Sequence, residues 1–190
     1  MSHIPIRPVA SRLIAVAGAV VVACSISSVA SAATVSPAAP SRAAAAPCAG
    51  ATDLSLKVVT GPRSGTAGVT DYTMVFTNTS MSTCSLSGFP FVSMVNKKGG
   101  QLGSAAGHPT MLVIPLITLA PGASAHTTLA YHSGKVRAGS GCGTVTTAYQ
   151  LRAFVANQKR ALFAKTGLHA CSRTGHVFLN VLESYRAGKG

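Results

Sequence analysis

An antiparallel, immunoglobulin-like β-sandwich of about seven to nine strands, clamped by two disulfides, is the fold this sequence predicts. Three observations carry that expectation. Apolar and polar residues alternate with a period of two in several short runs, Gly, Pro and Asn punctuate those runs, and Cys48, Cys84, Cys142 and Cys171 all fall among them. Period-two alternation marks strands with one buried face, and many short strands with such turns assemble as sandwiches or barrels. No window of helical length carries an apolar stripe. The chain has 190 residues, of which 47% are hydrophobic and 10% charged, against a usual charged share of ~25%. Disorder over the whole length is excluded, because disordered chains are poor in apolar residues and rich in charge. Antibody domains bury a Trp; this chain has none.

The amino terminus reads as an export signal. Met1 to Arg12 carries Arg7 and Arg12 and no acid, Leu13 to Ala23 is wholly apolar or Gly, and Ala30-Ser31-Ala32 follows. These are the three parts of a secretory signal, so residues 1–32 are expected to be a signal peptide and the mature chain extracellular or at the cell surface. Leu13 to Ala33 is also long enough to cross a bilayer at about 20 residues. Ser25, Ser27, Ser28 and Ser31 dilute that run, and no basic stop-transfer cluster follows at once. Cys24 ends Val21-Val22-Ala23-Cys24, similar to a lipoprotein box, and acylation there would anchor the chain to a membrane. The box lacks its usual Leu, so cleavage after Ala32 is favoured and lipidation of Cys24 is the alternative. Residues 33–47, rich in Ala, Pro and Ser, read as a flexible linker.

Without Cys24, four cysteines remain, an even number in an exported chain. That is the arithmetic of two disulfides. Gaps of 36, 58 and 29 residues, with no C-x-x-C, do not suit a zinc site. Cys48 precedes one strand and Cys84 follows the next. The start of one strand lies beside the end of its antiparallel neighbour, so Cys48–Cys84 is favoured. Cys142–Cys171 is then left, each bridge contributing about 3–4 kcal/mol in the chain-entropy model.

The strands follow in order. Leu54, Leu56 and Val58 alternate with polar neighbours, as do Tyr72, Met74 and Phe76. Phe91 to Val95 is a third run, and Asn96-Lys97-Lys98-Gly99-Gly100 turns it into a return near Gln101 to Ser104. Met111 to Leu119 is apolar, but Pro115 argues against a central position. Ala120-Pro121-Gly122 is a sharp turn before the alternation of Ala125, Thr127, Leu129 and Tyr131. Leu151, Ala153 and Val155 lead to a hairpin tip at Asn157-Gln158-Lys159, Ala161 to Ala164 returns, and Val177 to Leu182 closes the domain. The sandwich is expected over 48–184, with 185–190 a flexible carboxy-terminal tail.

Several pieces together resemble a known family. They are Cys48 before a strand, Phe76-Thr77-Asn78-Thr79-Ser80, Cys84-Ser85-Leu86-Ser87-Gly88-Phe89-Pro90, Gly99-Gly100-Gln101-Leu102-Gly103, Leu119-Ala120-Pro121-Gly122-Ala123-Ser124-Ala125, and the two later cysteines. This is similar to the secreted actinobacterial family called domain of unknown function 4232. The resemblance covers nearly all of 48–184, and the Cys-Ser-Leu-x-Gly-Phe-Pro block is its most specific part. It implies a disulfide-bonded β-sandwich behind a signal peptide or lipoprotein signal, and it supplies no mechanism or functional residue. The basic run Lys159 to Lys165 and the end Glu183 to Gly190, which lacks a proline, depart from the pattern.

Function is constrained mainly by what is scarce. Asp53, Asp71 and Glu183 are the only acids. Nucleophilic catalysis usually needs an orienting carboxylate, paired-carboxylate hydrolysis needs two, and Gly139-Ser140-Gly141-Cys142-Gly143 has the wrong spacing for a nucleophile elbow. The chain is therefore expected to be no enzyme, with no cofactor and no metal. His126 and His132 share a strand face but stand about 20 Å apart. His108, His169 and His176 read, like them, as exposed polar residues. Asn78-Thr79-Ser80 has the form of a glycosylation acceptor, which a strand-ending turn explains as well.

Charge is the most functional-looking feature. The chain carries 16 basic and 3 acidic residues, +13 in all. Lys97-Lys98 and Lys159-Arg160 fall at hairpin tips, with Arg63, Lys135 and Arg137 in other loops. Such a surface outside a cell meets anionic wall polymers, lipid head groups or an envelope protein, although plain solubility also explains it. Specific nucleic-acid binding is not expected, since the rings fall mostly on apolar strand faces. The missing Trp weakens carbohydrate stacking. The expected function is a non-enzymatic envelope interaction module. A secreted protease inhibitor or small-ligand carrier is the alternative, and a hydrolase the least supported.

Overall fold

The computed structural model describes residues 44–61, 65–110, 114–139 and 141–188. The predicted signal peptide, Cys24, most of the linker and Arg63 lie outside them. Among the described residues the chain forms thirteen strands, two short 3-10 turns and no α-helix. In order the strands are β1 (Leu54–Thr60), β2 (Val69–Asn78), β3 (Cys84–Ser87), β4 (Phe91–Val95), β5 (Gln101–Leu102), β6 (Leu116–Leu119) and β7 (Ser124–His132). They continue with β8 (Val145–Thr147), β9 (Gln150–Phe154), β10 (Leu162–Lys165), β11 (His169–Cys171), β12 (Leu179–Val181) and β13 (Arg186–Ala187).

Two main antiparallel sheets make the sandwich. The first runs β1-β2-β7-β12, with β13 also paired to β7; the second runs β10-β9-β4-β5. Short ladders β3–β6 and β8–β11 stand beside them. The long alternating runs sit where their period demands. Met74, Phe76, Ala125 and Leu129 of the first sheet are fully buried with Val92, Met94, Leu151 and Ala153 of the second, in one cluster. Burying a side chain of this size is worth roughly 1.5–3 kcal/mol. The strand count exceeds seven to nine because β5, β8, β11, β12 and β13 span only two or three residues, too few to show a period.

Both disulfides join as expected, Cys48–Cys84 and Cys142–Cys171, and the start of β1 does lie beside the end of β2, Leu54 opposite Asn78. Cys84 follows β2 and also opens β3. The segment before β1 runs alongside it, with Pro47 bridged to Ser85 and the Cys48 amide donating to the Ser85 carbonyl at 2.9 Å. Ordered structure thus begins within the stretch expected to be linker. The second bridge braces β8–β11, where Cys171 stands opposite Val145. Pro115 was expected to exclude a central position, and β6 indeed pairs with β3 alone.

The carboxy terminus needs a correction. Residues 185–187 do not belong to a flexible tail. Tyr185 is 1% exposed and packs edge-on against Phe76, with ring centroids 5.2 Å apart. Arg186 and Ala187 then pair with His126 and Ala125. One aromatic anchor immediately before a pairing site holds the end of the chain on the sheet.

Candidate functional site

Strand parity decides what the second sheet shows to solvent. Val92 and Met94 of β4 and Leu151 and Ala153 of β9 are buried in the core. Their alternates, Phe91 and Ser93 on one strand and Arg152 and Phe154 on the other, therefore take the opposite face. Phe91 stands opposite Phe154 and Ser93 opposite Arg152, while Phe163 of β10 stands opposite Arg152 from the other side. Neighbouring strands are about 5 Å apart, so three phenylalanines surround one arginine. Phe91 is 54% and Phe163 48% exposed.

Arg152 is held in place by neutral groups. Its Nε donates to Ser93 Oγ at 3.2 Å and its Nη2 to Gln101 Oε1 at 2.9 Å. The guanidinium carbon lies 5.7 Å from the Phe154 ring centroid, within reach of a cation–π attraction. A guanidinium has five N–H donors; these two bonds leave hydrogens on Nη1 and Nη2 for an incoming acceptor. No acid occurs on β4, β5, β9 or β10 or in the turns between β4 and β5 and between β9 and β10.

The four cations expected at hairpin tips are there, but not together. Lys97 and Lys98 occupy the turn between β4 and β5, and Lys159 and Arg160 the turn between β9 and β10. Val95 pairs with Gln150 at one end of the sheet and Phe91 with Phe154 at the other. The two pairs thus lie at opposite ends, separated by a strand length of about 14 Å and more. Lys97, Lys98 and Lys159 are exposed; Arg160 is exposed too and donates from Nη1 to Thr52 Oγ1 at 3.1 Å.

The outward face of the first sheet is polar, and most of its side chains bond one another. Thr77 and Ser124 share a hydroxyl bond at 2.8 Å. Thr128 donates to Glu183 Oε1 at 2.9 Å, and Glu183 pairs with Arg186 at 2.6 Å. His132 Nε2 meets Asn180 Nδ2 at 2.9 Å. The Asn amide donates and the imidazole accepts, which requires neutral histidine. Burial and Lys135 push the His132 pKa down, partly offset by Asp71. Asp71 Oδ1 and His126 Nδ1 are buried there without a hydrogen-bond partner.

Other expectations meet mixed outcomes. Among the described histidines only His108 and His169 are exposed; His126, His132 and His176 are half-buried. His108 stacks on Phe89 at 5.2 Å. No group of three metal-ligating side chains occurs among the described residues. Asn78 is 0% exposed, and its Nδ2 donates to the carbonyls of Ser82 and Leu119. That buried amide is committed to the turn and is no acceptor for a glycan. The rings depart furthest from expectation: of six phenylalanines, Phe91, Phe154 and Phe163 face outward. Sequence reasoning missed them and Arg152, although placing Leu151 and Ala153 inward already sends Arg152 and Phe154 outward.

A family model described as Domain of unknown function (DUF4232) matches residues 48–178. The chain belongs to this family. The Cys-Ser-Leu-Ser-Gly-Phe-Pro block of this chain has a physical account: Cys84 is bridged, Ser85 bonds the incoming Ala45 and Ala46 carbonyls, Leu86 is buried, and Gly88 takes a φ of 83° before Phe89 turns into the core. Gly103 serves similarly, since the Phe178 ring lies where a Cβ would go. Arg152 and its three phenylalanines fall inside the DUF4232 match, whereas Asn180, Glu183 and Arg186 fall beyond it. No curated protein and no solved structure matches the chain.

Proposed function

We propose that this DUF4232 chain is an exported, non-enzymatic binding module of an actinobacterial cell envelope, holding anionic surfaces or partners. The carrying observation is the distribution of charge on the second sheet. Cations occupy both of its ends and Arg152 its middle, with no acid on its strands or on the turns that carry those cations. Uncompensated positive charge along one face attracts polyanions in a salt-dependent way. The two disulfides suit an oxidising compartment, as does the signal over residues 1–32. Cleavage there leaves 14 basic and 3 acidic residues, +11.

The test is retention of the mature chain on wall fractions and on phosphatidylglycerol vesicles across a salt series. Binding at low salt that weakens at moderate salt is expected. Lys97→Glu/Lys98→Glu and Lys159→Glu/Arg160→Glu should each weaken it. Failure to bind any envelope fraction at low salt contradicts the proposal.

A further inference from the structure

We propose that the outward face of the second sheet binds an acidic glycan, its sugar rings resting on Phe91, Phe154 and Phe163 and its carboxylate meeting Arg152. This deepens the anionic-partner reading and rests on it. Charge alone does not explain the face. A purely ionic surface gains nothing from exposing Phe91 at 54% and Phe163 at 48% around a guanidinium. Large apolar rings on the surface are costly to hydrate unless something covers them.

The chemistry of the occupant follows from three features. Flat apolar rings match the C–H face of a sugar. Arg152, aligned by Ser93 and Gln101, still offers the Nη1 and Nη2 hydrogens, and a guanidinium edge fits a carboxylate with two parallel bonds. Lys97 and Lys98 at one end and Lys159 at the other extend the positive field beyond one residue, which suits a polymer. A single-stranded nucleic acid also stacks on rings beside cations. The oxidising compartment that the disulfides require favours a wall polysaccharide.

Titration calorimetry of the mature chain with oligogalacturonate tests this, beside a neutral oligoglucan, polyphosphate and oligothymidylate. Oligogalacturonate should bind and the neutral glycan should bind far more weakly. Phe91→Ala/Phe163→Ala should weaken oligogalacturonate by about tenfold or more, the equivalent of ~1.4 kcal/mol, and leave polyphosphate affinity unchanged. Arg152→Lys, which keeps the charge and loses the fork, should weaken it too. Should the double variant fold poorly, Phe163→Leu removes one ring while keeping an apolar side chain, and a several-fold loss is expected. Unchanged oligogalacturonate binding in the ring variants overturns the inference while the anionic reading stands. Tighter, ring-dependent binding of oligothymidylate overturns it in favour of nucleic acid. If no polyanion binds at low salt, both readings fall.

Discussion

The outer faces of the two sheets share one architecture and differ in how their polar groups are spent. On the first sheet most outward polar groups are answered by a neighbour, Thr77 by Ser124, Thr128 and Arg186 by Glu183, and His132 by Asn180, while Asp71 Oδ1 and His126 Nδ1 are buried and unanswered. On the second, Arg152 has only neutral partners and the rings around it meet solvent. The first face is largely finished by the chain itself, and the two atoms it leaves unanswered are buried. The second has chemistry left over, and unspent chemistry on a rigid sheet is where a partner fits.

That contrast can be broken in several ways. The largest effect should come from Tyr185→Ala, which removes the aromatic anchor under the last strand of the first sheet. A loss of about 3–5 kcal/mol is expected from emptying a core site of that size, read by denaturant unfolding. A loss below about 1 kcal/mol would restore the flexible-tail reading. Asn78→Ala comes next. It strips partners from the Ser82 and Leu119 carbonyls and from the Ser80 amide, so about 1–3 kcal/mol should be lost.

On the other face, Phe163→Ala should cost less than about 1 kcal/mol of stability, because the ring is already half in water. If it destabilises as much as Tyr185→Ala, the ring belongs to the fold and not to a partner. The subtlest effect is in pH. His132 has a folded pKa below its ordinary 6.5, chiefly from burial, so the unfolded chain binds the proton first. Its stabilising contribution is complete above about pH 6.5 and shrinks as the pH falls through the folded value. His132→Gln should flatten that part of the stability–pH curve, measured by thermal melts across the acid range.

Much of the fold was legible in the sequence because the long strands have room for a period. Leu54, Leu56 and Val58, and Tyr72, Met74 and Phe76, sit in β1 and β2, and the placing of the cysteines around neighbouring strands gave the right pairs. The short ladders were hidden, since three residues such as Val145–Thr147 show no alternation. Tyr185 was hidden for a related reason: a lone aromatic amid polar residues carries no pattern, and only the opposite Phe76 gives it a role. The cations were placed correctly in turns, but their separation to opposite ends depends on which strands pair, a long-range fact. The aromatic face was within reach. Parity along Gln150 to Val155 sends Arg152 and Phe154 outward, yet the register that adds Phe91 and Phe163 comes only from pairing.

The most direct measurement is amide shift mapping by nuclear magnetic resonance on labelled mature chain titrated with oligogalacturonate. Perturbations concentrated in Phe91–Val95, Gln150–Phe154 and Leu162–Lys165 are the predicted result. Perturbations gathered instead around Thr73, Thr128 and His132, on the outward face of the first sheet, would contradict it.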